Sequence, residues 1–170
     1  MLTILFSIGI LVWTVFLIDG LIGLPKIDAL EHVEGLENGP LLSVVVAARN
    51  EEKQISASIL SQLEQTYRNV EWILINDRST DVTGTIMDEL TKKDPRIKVI
   101  HIDNLPEGWL GKNHALYTGT LQATGKWLLF TDADIKFEKE TFAKALDYFE
   151  INQLDHLTAA PNLNANRFWL

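Results

Sequence analysis

Apolar positions along this chain fall into two regimes. From Leu2 to Ile18 they run almost unbroken, with Trp13 inside the run, no charge before Asp19, and a continuation from Gly20 to Leu24 that stops at Pro25. About 20 consecutive apolar residues in a helix cross the hydrocarbon core of a bilayer, and this stretch reaches that length. A cleaved leader would carry a basic start and a small-x-small cleavage pattern, and neither is present. Residues 1–25 are therefore expected to be a single transmembrane anchor. The flanks carry no Lys/Arg asymmetry from which an orientation follows. Residues 26–40, with several acids, Gly35, Gly39 and Pro40, read as a solvated linker.

Beyond residue 40, short apolar runs alternate with amphipathic ones. Leu42–Ala48 (LSVVVAA), Glu71–Asn76 (EWILIN), Ile97–Ile102 (IKVIHI) and residues 127–131 have the composition of strands buried on both faces. Between them, Glu51–Thr66 places Ile55, Ile59, Leu60 and Leu63 at helical spacing. Val82–Lys93, His114–Ala123 and Glu138–Asn152 are the further helices, and His156–Ala160 is expected as a fifth strand. This rhythm predicts βαβ units: an α/β, Rossmann-like, mainly parallel sheet with helices on both faces.

In such sheets ligands bind beyond the carboxyl ends of the strands. Three strand ends carry polar clusters: Ala48-Arg49-Asn50-Glu51, Asn76-Asp77-Arg78-Ser79 and Asp132-Ala133-Asp134. An Asn or Asp after a strand most often caps the next helix, so Asn50 or Asp81 alone carries little. Three clusters on one edge favour a site. If the strand stays extended, Asp132 and Asp134 face the same side. Two carboxylates held close repel unless a cation balances them, and the chain does not obviously supply one there. Hard oxygen ligands of this kind suit Mg²⁺ or Mn²⁺. His114, alone near a helix start, reads as structural.

Composition narrows the classes. A chain of 170 residues accommodates one domain with a real core. A net charge of −8 leaves no basic face for nucleic acid, and the absence of cysteine excludes disulfides and thiolate metal sites. Neither G-x-G-x-x-G nor G-x-x-x-x-G-K-[ST] occurs. A nucleotide phosphate would then be held by a bridging metal and basic side chains.

Taken in order, SVVVAARNEE, ILINDRSTD, GWLGKNHALYTG and WLLFTDADIKF resemble the successive motifs of family 2 glycosyltransferases with the GT-A fold, over roughly residues 41 to 160. The GWLGKNHA block followed by ATGKWLLFTDAD is also similar to the membrane-bound branch that glycosylates hopanoid- or carotenoid-type lipids. The resemblance implies that residues 41–170 bind a nucleotide-sugar, most simply a UDP-sugar, for transfer to a lipid or glycan acceptor. Ala47, Arg49 and Glu51 would line the nucleotide pocket, although many members carry Pro and Tyr where this chain has Ala47 and Arg49. Asp77 would accept a hydrogen bond from the base's ring N–H. Lys112 would face the diphosphate, Asp132 and Ala133 would touch the donor, and Asp132 with Asp134 would hold Mn²⁺ or Mg²⁺, which neutralises the departing diphosphate. The catalytic domain of such an anchored enzyme is expected on the cytoplasmic side. The general base of inverting members lies well beyond the D-x-D strand, and only about 36 residues follow Asp134 here. Neither Glu138 nor Asp155 is assignable to that role, so the base is expected beyond Leu170 and the chain to be the donor-binding part of a longer enzyme. Two alternatives stand beside this reading. A nucleotidyltransferase would bring a Gly- and Arg-rich loop after its first strand, where AARNEE has no glycine. The other is a non-catalytic, membrane-anchored nucleotide-sugar-binding module.

Overall fold

The computed structural model describes residues 2–23 and 30–159, which form two compact units. The first holds one helix, α1 (Leu2–Gly23), and a 3-10 turn at Leu30–His32. Helix α1 is apolar all round: Phe6, Trp13 and Leu21 are all exposed, and Thr14 turns its hydroxyl back to the Ile10 carbonyl. Such a helix has no polar face to offer water. Among the described residues no helix is long and apolar enough to cross a membrane. The described side chains of α1 run only from residue 6 to residue 22, so the expected span is not shown here.

The second unit begins at Val33. Its first residues differ from the expected free linker, because they are fastened to the domain. Leu36 N–H donates to the Ala143 carbonyl at 3.0 Å, Gly35 N–H to Asp147 at 3.1 Å, and the Tyr67 hydroxyl to the Pro40 carbonyl. Buried backbone groups need such partners, and these residues find theirs on the last helix of the domain and at Tyr67.

The core of this unit is a four-stranded, all-parallel sheet. Its strands are β1 (Leu42–Ala48), β2 (Val70–Asp77), β3 (Ile97–Ile102) and β4 (Trp127–Asp132), in the order β3-β2-β1-β4. The helices are α2 (Ile55–Leu63), α3 (Thr83–Lys93), α4 (Gly111–Thr120) and α5 (Thr141–Ile151). Crossovers between parallel strands are right-handed. The chain steps outward from β1 through β2 to β3 by way of α2 and α3, then reverses to the far side of β1. That reversal puts α4 on the opposite face of the sheet. Val44, Trp72 and Leu74 accordingly pack with Ile55 of α2 and Met87 of α3, with Phe142 of α5 in the same cluster. On the other face Val45, Ile73 and Ile75 pack with Ala115 of α4. Gly119 sets how close α4 lies, since a Cβ there would come within 2.4 Å of Val45 Cγ1.

Four expectations differ from what is found. The helix expected over Glu51–Thr66 shortens to α2, because the residues after β1 are bonded to the next strand's loop instead. Helix α4 starts at Gly111, three residues before the expected His114. Residues 156 to 159 form no strand: they are exposed and pair with no edge, while Ala160 lies outside the described residues. Finally, β4 ends at Asp132 and the chain turns at Ala133 and Asp134. The alternation expected to keep Asp132 and Asp134 on one side does not continue through that turn.

At the amino ends of the strands Glu71 is the organising acid. Its Oε1 accepts from Ser43 Oγ at 2.7 Å and from Thr124 N and Oγ1 at 2.7 and 2.8 Å, and its Oε2 accepts from Lys98 Nζ at 2.8 Å. Burial pushes this carboxyl up, but the hydrogen bonds from Lys98, Ser43 and Thr124 outweigh it and hold the pKa down to about 2. The network ties the loop before β4 to β1 and β2, at the end of the sheet away from the polar clusters.

Candidate donor site at the carboxyl ends of the strands

Side-chain alternation builds one wall of the site. Val45 and Ile75 are buried under α4; two residues further along, the same alternation delivers Ala47 and Asp77 to that face. Asp132 is in register beside Ala47, and parallel partners in register share a face. Ala47, Asp77 and Asp132 therefore line up across β2, β1 and β4 at their carboxyl ends, where the chain's reversal opens the sheet.

Helix α4 supplies the opposite wall. Gly111, its first residue, lies against the end of β2 so tightly that a Cβ would come within 2.8 Å of Asp77 Oδ2 and 2.6 Å of an Arg78 guanidinium nitrogen. Lys112, the next residue, donates from Nζ to Asp132 Oδ1 at 2.5 Å. The cation balancing Asp132 in this structure is thus Lys112, twenty residues away in sequence. This corrects the expectation that the chain has no positive group to offer there. Leu110, at the N-cap, makes no side-chain cap, so the first backbone N–H groups of α4 have no intrahelical carbonyl to bond.

Asp77 is the most enclosed acid of the group, with 5 % of its surface exposed. The fork of Arg78 grips both of its oxygens, Nε to Oδ1 at 2.7 Å and a terminal nitrogen to Oδ2 at 3.0 Å. This hydrogen bonding holds the Asp77 carboxyl below the usual range against the opposing effect of burial, with help from the charges of Arg78, Arg49 and His114. Arg78 itself sits at φ +56°, and Asn50 after β1 at φ +58°. That left-handed region is costly for a side chain as long as arginine, and such strain gathers where a side chain must be aimed.

The Asn and Asp residues after the first two strands do more than cap. Asn50 Oδ1 accepts from Thr80 N–H at 2.8 Å, and Asn50 N–H donates to Ser79 Oγ at 3.1 Å. Glu51 N–H donates to Thr83 Oγ1 at 2.8 Å. Asp81 receives the Thr83 N–H at 2.9 Å and the Glu52 N–H at 3.3 Å, joining α3 to the loop after β1. Two loops are thereby braced against each other.

The expected residues separate into two groups. Arg49, Asp77, Lys112 and Asp132 come together by contact or by charge, with Ala47 beneath them. Asp134 is exposed and paired with no described residue, so its carboxylate is free at the rim. Glu51 instead lines a shallow depression of about 320 Å³ with Asn50 and Asp81, and none of Asp77, Lys112 and Asp132 borders it. Ala133 is buried in the core with α2 and α5, so its methyl group offers no surface to a ligand. The loop holding Glu138 is bound to the end of α2 through Gln65, and Asp155 lies in the exposed segment after α5.

Two site residues escaped the sequence reading. Arg78 was visible as an arginine directly after the strand-end acid, but its grip on Asp77 depends on its backbone turn. His114, read as structural, acts on Asp77 by charge. Its Nδ1 is buried with no hydrogen-bond partner among the described residues, and its ring stands edge-on to Trp109 at 5.3 Å between centroids. The signal was its place one turn after Gly111, on the same stripe of α4.

The family model described as "Glycosyl transferase family 2" matches residues 43–162. The chain belongs to glycosyl transferase family 2. An uncharacterized glycosyltransferase of Haemophilus influenzae is 41% identical over 124 residues, covering 73% of this chain and 36% of that protein. A 4,4'-diaponeurosporenoate glycosyltransferase of Staphylococcus haemolyticus is 34% identical over 105 residues, 62% of this chain and 27% of its own length. Among solved structures, the mannosyltransferase PcManGT of Pyrobaculum calidifontis, in complex with GDP-Man and Mn²⁺, superposes with TM-score 0.59 at 25% identity, covering 69% of this chain and 35% of that one. Residues 1–349 of S. aureus TarS, in complex with UDP-GlcNAc, give TM-score 0.58 at 27% identity, covering 66% and 32%. The fold is of the GT-A kind expected. The chain spans about a third of the length of these relatives.

Proposed function

We propose that this family 2 chain is the donor-binding part of a membrane-anchored glycosyltransferase that uses a UDP-sugar with Mn²⁺ or Mg²⁺. The observation that carries the reading is the meeting of Asp77, Arg78, Lys112 and Asp132 at the carboxyl ends of β2 and β4. Two acids and two cations face one another there across the point where strand order reverses. Asp77, enclosed and ionised, accepts the ring N–H of uracil. Arg49 and Lys112, with the uncapped start of α4, hold the diphosphate. Asp132 and Asp134 offer oxygen donors only, which fits a hard divalent cation. Among the described residues no three His, Cys, Asp or Glu are grouped to hold a metal, so Asp132 and Asp134 are the residues of this chain that would hold the cation. When bound, the cation neutralises charge developing on the departing diphosphate.

The acceptor is a lipid or glycan hydroxyl, and a lipid is favoured. The support is the likeness to the diaponeurosporenoate enzyme together with the exposed apolar surface of α1. The catalytic domain is assigned to the cytoplasmic side, as the family resemblance implies.

The test is UDP titration of the full chain in detergent, with Mn²⁺ and with EDTA, for wild type and Asp134→Asn. Wild type binds at least tenfold more tightly with Mn²⁺; the variant keeps only the weaker, metal-free affinity and an unchanged melting temperature. Equal binding with and without metal in wild type refutes the metal part of the reading. Absence of any UDP binding refutes the whole.

A further inference from the structure

We infer that Lys112 is an exchangeable internal cation: it occupies Asp132 while the cleft is empty and passes to the donor's diphosphate when a divalent cation takes that carboxylate. The inference rests on the donor site proposed above and adds a direction of movement to it.

Three observations carry it. Lys112 Nζ and Asp132 Oδ1 are 2.5 Å apart, while both side chains are more than half exposed, at 61% and 56%. An exposed lysine–carboxylate pair is weak and readily broken, so it can balance a charge without locking the site. Lys112 is also the second residue of α4, and α4 has no side-chain cap. A lysine in the first turn stands at the positive end of the helix dipole, where the backbone favours an anion. Asp132 supplies one negative charge there; a diphosphate supplies more, and it would face the free N–H groups of the same turn. Finally, Gly111 pins the start of α4 against the Asp77–Arg78 pair. The lysine's backbone is thus fixed between the ends of β2 and β4, and only its flexible side chain has to move. Asp134, paired with no described residue, is the carboxylate open to a metal from the start; Asp132 becomes available as Lys112 leaves.

This scheme gives Lys112→Met opposite effects on two affinities, which neither a purely structural lysine nor a plain phosphate-binding lysine would do. The variant keeps the aliphatic stem and removes the charge. Mn²⁺ binding to the full chain in detergent, without nucleotide, is followed by the loss of the free-ion electron paramagnetic resonance signal. It should tighten about two- to fivefold in the variant, the scale expected from an exposed ion pair. UDP binding in saturating Mn²⁺ should weaken about three- to tenfold, and UDP binding in EDTA should weaken as well. Lys112→Arg, which keeps the charge, should leave Mn²⁺ affinity within twofold of wild type. Unchanged or weakened Mn²⁺ affinity in Lys112→Met overturns the exchange. Unchanged UDP affinity overturns the transfer to the diphosphate. A wild type that binds no Mn²⁺ even with UDP present removes the metal reading as well, and is distinguished from the first failure by that control.

Discussion

Replacing Glu71 by glutamine tests whether the sheet's far end is held by charge. The carboxylate accepts from two side-chain hydroxyls, one backbone N–H and the Lys98 ammonium, all between 2.7 and 2.8 Å, and its side chain is only 9% exposed. Glutamine can accept the bonds at Oε1, but it turns an N–H₂ toward Lys98 and removes the negative charge. The carboxyl's pKa falls from 4.5 to about 2 on folding, and each unit corresponds to 1.36 kcal/mol, so the ionised form favours the folded state by about 3 kcal/mol. Lys98 is half exposed and can swing into water, so the cost at pH 7 is nearer 2 kcal/mol. The sign follows from a lowered folded pKa. The contribution is complete above the unfolded value of about 4.5 and disappears as pH falls through the folded value near 2. By pH 3 a little over half of it has gone in wild type, and the variant has none to lose. Urea unfolding in detergent, read by fluorescence of the buried Trp72 and Trp127, should give a wild-type advantage of about 2 kcal/mol at pH 7 that has shrunk to about 1 kcal/mol at pH 3. A difference below about 0.5 kcal/mol at pH 7, or one as large at pH 3 as at pH 7, would refute the charge-based account.

Gly111→Ala should leave stability within about 1 kcal/mol, since alanine is the better helix former while its methyl must displace the end of Arg78. UDP affinity should nevertheless drop severalfold because the methyl also presses on Asp77; equal UDP affinity would show that the Asp77–Arg78 geometry is not used. Deleting residues 1–25 should yield a protein that stays in solution without detergent and keeps UDP binding, whereas the full chain sediments with membranes through carbonate washing; a full chain released by carbonate would end the anchor reading.

How much of this was legible in the sequence depends on how local the cause is. The bounds of β1 and β3 follow directly from short, mainly apolar runs rich in Val and Ile, and the order of strands and helices follows from their alternation. The residues around the cleft were found because strand ends announce themselves as a switch from apolar to polar. What holds those residues was less visible. Asn50 reaches Thr80, and Lys112 reaches Asp132, only because the strands are set side by side in a particular order. The opening of the chain after β1 was misread for the same reason: a helical spacing in Glu51–Thr66 says nothing about backbone groups already engaged by Ser79 and Thr83. Nor does apolar pattern reveal that Ala133 turns into the core while Asp134 stays outside. His114 was undervalued because its meaning comes from the strand opposite, not from its neighbours in α4.

The reversal in strand order sets both strand-end acids on the face covered by α4. In a chain carrying eight excess negative charges, two acids facing one edge would repel each other and any phosphate that approached. Alternation within β2 and β4 sends Asp77 and Asp132 to the face that the reversal assigns to α4 alone. The first turn of that helix is the nearest backbone from which a cation can be extended, and it extends Lys112. Arg78 does the same for Asp77 from the strand end itself, at the cost of a left-handed turn. The two acids are thus balanced by two cations of different tenacity. The bidentate grip on an enclosed acid is strong, and the single exposed contact of Lys112 is weak. On the donor-site reading proposed above, charge would therefore exchange more readily at Asp132, held by one contact, than at Asp77, held by two.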